Sequence, residues 1–284
     1  MKSETDLSLL ARQWGATAVP FGLVNAQDWL ESPSAQQALS RLSQTAALRS
    51  VMLLCGPNGV GKSALVGRWM RSLEARLFYP VCLTQATLSG TAILAALATK
   101  LGKPVSFYRQ RNLQLLEEAL GELERRILVL ILDEAQNYSQ PSLEEVRLLL
   151  GLNLPEQPTF ALVLIGDEYL LASLKLRNQR ALYSRLACQV HLAPWTPAQC
   201  AQYLNVGLSA VGLSSAVLEA AATELLASAS GGLPRSLCLL ARAAWIAAAT
   251  DKAQKILAAH VQTALEQVPC IPGLLPSAQS PESA

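Results

Sequence analysis

The stretch VMLLCGPNGVGKSALVGRWM, residues 51–70, decides how the rest of the chain is read. Five apolar residues, Val51 to Cys55, lead into a glycine-rich turn, and helical spacing then runs from Ala64 to Leu73. That order predicts a buried strand, a tight turn and a helix. The turn meets the spacing G-x-x-x-x-G-K-[ST] through Gly56, Gly61, Lys62 and Ser63, with Gly59 as an extra glycine inside it. Small residues there let successive backbone N–H groups turn inward and cradle phosphate oxygens, beside the positive end of a helix. In this scheme Lys62 reaches the β- and γ-phosphates and the Ser63 hydroxyl takes one Mg2+ position. The plain alternative, a structural corner that binds nothing, is set aside because motif and context agree.

A second motif, ILVLILDEAQN at 127–137, delivers two carboxylates at the end of an apolar strand, where open α/β sheets bind ligands. Asp133 is expected to hold Mg2+ through water, and Glu134 to orient and deprotonate an attacking water. Phosphoryl transfer to a metabolite needs the first carboxylate but no adjacent base, so the pair favours hydrolysis. A third apolar run, FALVLIGDEYL at 160–170, ends in Gly166-Asp167. Asp167 is placed either to sense the γ-phosphate or to cap a helix over 168–175.

Arginines cluster further on. Arg177, Arg180 and Arg185 precede the last strand-like run. They form either a solvated helix face or a source for one arginine that reaches a neighbouring subunit's nucleotide. Arg185, abutting the strand, is the best placed to act in trans. In SGGLPRSLCLLARAA, residues 230–244, Pro234 suits a first helical turn and Arg235 would project from it towards the nucleotide.

The whole chain frames these motifs. Its 284 residues carry a formal net charge of +2, so a nucleic-acid surface would have to be a local patch. Apolar residues make up 51% and aromatics 5%, which favours a helix-rich, well-buried protein over disorder. Six cysteines at positions 55, 82, 188, 200, 238 and 270 include no C-x-x-C pair and read as reduced thiols in a cytoplasmic protein. Two histidines make a zinc site an unlikely design. The N-terminus MKSETDLSLLARQW lacks the apolar core of a signal peptide. The uncharged run 77–99 is broken by Pro80, Gln85, Ser89 and Gly90, so no membrane span is expected.

Strands are expected at 51–55, 78–84, 127–132, 160–166 and 187–192, alternating with helices. Such alternation implies a five-stranded parallel sheet with helices on both faces. After Thr196 only helices are expected, at 196–210, 214–228, 233–248 and 253–267. The predicted domains are an N-terminal lead-in and helix (1–50), an α/β nucleotide-binding domain (51–194), a small all-helical domain (195–268) and a Pro/Ser-rich disordered tail (269–284).

The motif order resembles the AAA+ ATPases, and within them the ExeA-like group that includes the transposition helpers TniB, TnsC and MuB. Trp14-Gly15, Pro20-Phe21, LLCGPNGVGKS, LDEAQN, LIGDEYLLASL, SRL and GGLPR carry the likeness, over about residues 10–268. The resemblance implies an AAA+ P-loop core followed by a helical lid. It also implies ATP held by Pro57, Asn58, Gly59, Val60, Gly61, Lys62, Ser63 and Ala64, with Mg2+ on Ser63 and Asp133. Catalysis would then rest on Glu134, on Arg185 supplied in trans and on Arg235. Asp167 departs from the pattern, where a neutral polar residue is more usual, and leaves the sensor open.

The implied function is a soluble ATPase that forms a ring or filament of its own copies on double-stranded DNA, marks a target and recruits a transposase. A secretion ATPase or replication-initiator-like ATPase stands second, and a STAND-type ATP switch third. For DNA contact the segment KLGKPVSFYRQRN, residues 100–112, offers Lys100, Lys103, Arg109 and Arg111 with Phe107 and Tyr108 between them. Its alternative is a solvated basic turn with two packing aromatics.

Overall fold

A computed structural model describes residues 6–22, 32–84, 90–151, 158–177 and 179–269. The tail expected beyond 269 lies outside the described residues. In chain order the elements are α1 (Asp6–Gln13), α2 (Pro33–Ala47), β1 (Val51–Cys55), α3 (Lys62–Ser72), β2 (Phe78–Leu83) and α4 (Gly90–Lys100). Then follow α5 (Arg109–Glu122), β3 (Ile127–Leu132), α6 (Gln140–Leu149), β4 (Phe160–Gly166), α7 (Glu168–Leu174), α8 (Arg180–Tyr183) and β5 (Leu186–His191). The last four are α9 (Pro197–Ser209), α10 (Ala220–Ala229), α11 (Pro234–Thr250) and α12 (Ala258–Gln267).

Two compact units emerge. One is α/β and comprises Pro33–Asn58 with Lys62–Ala193; the other is helical and takes in the described parts of Met1–Ser32 and Pro194–Ala284 together with Gly59–Gly61. Residues 1–50 thus divide between the units, α1 going with the helical one and α2 with the sheet.

The α/β unit is built on one five-stranded sheet in the order β2-β3-β4-β1-β5, with every pair parallel. All residues of β1 and β4 are buried. That explains why these strands read as unbroken apolar runs: a sheet covered on both faces has no polar side to alternate with. Leu53, Leu130 and Leu164 face a core shared with Leu94 of α4, Leu116 of α5 and Val146 of α6. Helix α2 packs against β1, β4 and β5 and against α3, burying Ala38, Leu42 and Ala46. β5 lies at an edge, and its burial alternates along its length.

The helical unit closes around Trp245, which is fully buried and meets the Trp14 ring edge-on at 6.2 Å. Phe21 is also in this core, its ring so near the Gly207 Cα that an added Cβ would lie 3.1 Å from it. Trp14 and Phe21 of the lead-in therefore pack into this unit's core. α9 starts with a capping box, in which the Thr196 hydroxyl accepts from the Gln199 N–H and the Gln199 side chain accepts from the Thr196 N–H.

Two expected helices are shorter than their patterns. The span 214–228 breaks into a single 3-10 turn at Ser215–Val217 and α10, and the span 253–267 begins only at Ala258. The cause is a β-bridge between Leu218 and Ile256. Ile256 donates its N–H to Val217 at 2.7 Å and accepts from Glu219 at 3.1 Å. Both bridging side chains are buried, and this long-range pairing overrides local helix preference.

Candidate nucleotide site

Three strands of the α/β unit end side by side, and their carboxyl ends supply the polar groups. β1 runs into the glycine turn, where Gly59 and Gly61 adopt φ of +87° and +100°. An L side chain rarely takes these values, so the second and third glycines are needed for backbone geometry. α3 then begins at Lys62 and presents its first turn. Lys62 is 6% exposed, and its Nζ donates to the Gly56 carbonyl at 2.7 Å and to the Pro57 carbonyl at 3.2 Å. Burial pushes its ammonium below the ordinary lysine value, and the charges of Glu134, Asp167 and Asp133 oppose that shift. A buried cation held by main-chain carbonyls is an arrangement suited to bridging anionic oxygens.

Ser63 and Asp133 come together as the motifs require. The Ser63 hydroxyl donates to Asp133 Oδ1 at 3.2 Å. Two hard oxygen donors so close suit Mg2+, which favours oxygen and keeps several waters or phosphate oxygens. No group of three or more His, Cys, Asp or Glu that could hold a metal occurs among the described residues. Asp133 is itself fixed. Its N–H donates to the Leu83 carbonyl of β2 at 3.0 Å, and Oδ1 accepts from the Glu134 N–H at 3.0 Å. The buried Tyr138 hydroxyl donates to the same Leu83 carbonyl at 2.9 Å.

Glu134 sits in the left-handed region, φ 51° and ψ 45°. A non-glycine residue there costs roughly 1–2 kcal/mol, and such residues gather at functional sites. Its Oε2 accepts from Gln136 Nε2 at 2.6 Å. The position of Gln136 in LDEAQN is visible in the sequence, but its contact is not. Asp167 caps α7, accepting from the Leu170 N–H at 3.1 Å, and also acts on Lys62 by charge.

The two arginines are placed by other contacts. Arg185 is half-buried between α8 and β5, its N–H bonded to the Leu182 carbonyl. Its charge contributes to holding the Glu144 carboxylate below the usual range, after the larger effect of the Arg147 hydrogen bonds. Arg235 is exposed in the first turn of α11. Within the helical unit its N–H donates to the Gly59 carbonyl at 3.2 Å, and a Cβ on Gly59 would lie 3.3 Å from the Arg235 Cβ.

The basic segment between α4 and α5 has a different character. Lys103 pairs with Glu122, Arg111 with Glu118 at 3.6 Å, and Arg109 makes two bonds of 2.8 Å to Glu145. Lys100 is exposed at the end of α4. Phe107 and Tyr108 are exposed as well, so they are not the packing aromatics of the plain alternative. The loop owes its shape to Asn112, which is buried and bonds both the N–H and the carbonyl of Ser106 at 2.9 Å.

A glycine turn feeding Lys62 and Ser63, a carboxylate-ended β3 and the order β2-β3-β4-β1-β5 together define the fold of AAA+ P-loop ATPases. Residues 46–174 match the family model described as AAA domain. Among curated proteins, general secretion pathway protein A of Aeromonas hydrophila is 28% identical over 226 residues, covering 76% of this chain. The chain spans 40% of the length of that relative. Among solved structures, Cdc6p of Pyrobaculum aerophilum is similar with a TM-score of 0.70 at 20% identity, over 91% of this chain and 71% of that one. The ORC1 protein of Aeropyrum pernix, solved in complex with DNA, gives a TM-score of 0.68 at 21% identity, over 86% and 68%. No helix among the described residues is long and apolar enough to cross a membrane.

Proposed function

We propose that this chain is a Mg2+-dependent ATPase whose ATP-bound form assembles on double-stranded DNA. The observation that carries the reading is the convergence of Lys62, Ser63, Asp133 and Glu134 at the ends of β1 and β3. Pro57 to Ala64 would wrap the phosphates, with Lys62 neutralising the β- and γ-oxygens. Ser63 and Asp133 would hold Mg2+, which when bound draws charge from the phosphate oxygens. Glu134 would take a proton from the attacking water.

Arg185, supplied by a neighbouring copy, would stabilise charge on the transferred phosphoryl group, and Arg235 would sense the nucleotide from α11. Lys100, Lys103, Arg109 and Arg111 would meet DNA phosphates. With a net charge of +2, one copy has too little field to bind DNA well. Several copies acting together gain enough through multivalency.

We read this DNA-coupled assembly as the work of a cytoplasmic transposition helper that recruits a transposase. A replication-initiator-like role would use the same biochemistry, and the likeness to ORC1 in complex with DNA supports DNA as the ligand. The similarity to general secretion pathway protein A favours a second reading, an ATPase of secretion.

Electron microscopy of the purified chain tests the proposal, with and without DNA and a non-hydrolysable ATP analogue. Rings or filaments are expected only when both are present, and hydrolysis per subunit should rise with protein concentration. Hydrolysis independent of concentration, with no assembly on DNA, would favour the second reading.

A further inference from the structure

Two residues beyond Glu134, Gln136 makes a contact that neither nucleotide motif accounts for. Its Nε2 donates to Glu134 Oε2 at 2.6 Å. The other end of the same amide is buried: Gln136 Oε1 has no hydrogen-bond partner among the described residues. The opposite amide orientation would bring an oxygen against the Glu134 carboxylate, so electrostatics selects the donating one. A buried acceptor is left orphaned in order that Glu134 receives a donor. Most buried acceptors are bonded, so an orphaned one calls for an explanation.

Gln136 is also given room by another strand. Gly166 ends β4, and a Cβ there would lie 2.8 Å from Gln136 Oε1 and 2.5 Å from Leu170 Cδ2. The bare Cα of Gly166 leaves room for the amide beside the strand end. Glu134 for its part has a backbone held in the left-handed region, which fixes where its side chain leaves the turn. Beyond that point the carboxylate sits on a chain of free rotations, and only a specific bond removes that freedom.

We propose that Gln136 is a positioning residue for hydrolysis, anchoring one carboxylate oxygen of Glu134 so that the other, Oε1, faces the attacking water. This rests on the ATPase reading above. In the step it serves, the water oxygen bonds to the γ-phosphorus as the bond to the bridging oxygen breaks. That electron pair leaves with ADP, and the water proton passes to Glu134 Oε1. Gln136 exchanges no proton; it removes the wrong orientations of the base.

The test uses Gln136→Met, which keeps length and packing but has no donor, with Gln136→Ala beside it. Both should lower kcat about tenfold while KM and the Kd for an ATP analogue stay within about twofold, the pattern of an interaction used only in the transition state. In a Glu134→Gln background the Gln136→Met change should add nothing to the residual rate, because its effect passes through the carboxylate. Wild-type kcat in Gln136→Met, or an equal loss of analogue affinity, would overturn the proposal. Crystal structures of wild type and Gln136→Met separate this from failure of the ATPase reading. If wild type hydrolyses nothing, the proposed function falls, yet a Glu134 carboxylate that loses its single position in the variant still supports the anchor. A carboxylate in the same place in both structures rejects the anchor whatever the turnover.

Discussion

The end of the sheet and the α4–α5 segment both collect charge, but in opposite ways. At the sheet end Lys62 turns onto main-chain carbonyls while three carboxylates act on it through space. Around the turn into α5, Lys103, Arg109 and Arg111 are each met by a glutamate side chain. In the first region the backbone decides where each group goes, because a strand end and a helix start fix it. In the second, long side chains reach acids that α5 and α6 happen to offer. Exposed pairs of that kind contribute about 0–1 kcal/mol each and are readily exchanged. A spaced motif thus defines a site, whereas a basic run defines only a supply of cations.

Breaking the first region should have the largest effect. Lys62→Ala is expected to weaken ATP binding about 100-fold or more, since a buried phosphate contact is lost. Glu134→Gln should keep binding and lower turnover by about 100-fold or more, the usual scale for a lost general base. Equilibrium binding and phosphate release measured separately distinguish the two, and wild-type turnover in Glu134→Gln would remove the catalytic assignment.

The second region should respond more mildly. Lys103→Ala with Arg109→Ala is expected to weaken DNA binding in the presence of an ATP analogue and to reduce the slope of log affinity against log salt by about 1–2. Nucleotide affinity should not change. An unaltered salt titration would move the DNA surface elsewhere on the protein, and would sharpen the contrast between the regions.

The smallest effect concerns pH. Arg147 holds the Glu144 carboxyl below its ordinary value of 4.5. Because the folded value is depressed, the pair's stabilisation is present above 4.5 and is lost as pH falls through the lower folded value. Glu144→Gln should therefore lower Tm by about 1–2 °C at pH 7, with the two melting curves converging towards pH 3. A constant difference down to pH 3 would assign the effect to packing.

Much of the fold could be read from the chain because its signals are local. β1, β3 and β4 fall where their apolar runs lie, since burial on both faces leaves no other residue type tolerable. Asp167 ahead of a helical run is a cap by chemistry as well as by position. The edge strands are displaced by a residue, β2 ending at Leu83 and β5 starting at Leu186. The break in the 214–228 helix was illegible because its cause, Ile256, lies far along the chain. The same holds at the site. LDEAQN shows Gln136, but its setting depends on Gly166 of another strand. The pairing of Arg109 depends on Glu145 of α6.

Gly232 has a consequence for how such chains diverge. It takes a φ of +71°, and a Cβ added to it would run into the Trp195 backbone, whose N–H donates to the Gly232 carbonyl at 2.8 Å. The second glycine of the GGLPR signature is thus required by two segments crossing at close range, with no reference to nucleotide. A descendant that lost Glu134, and with it all turnover, would still be under selection to keep Gly232. Inheritance of GGLPR therefore records ancestry and architecture, and the retention of activity has to be judged from Lys62, Asp133 and Glu134.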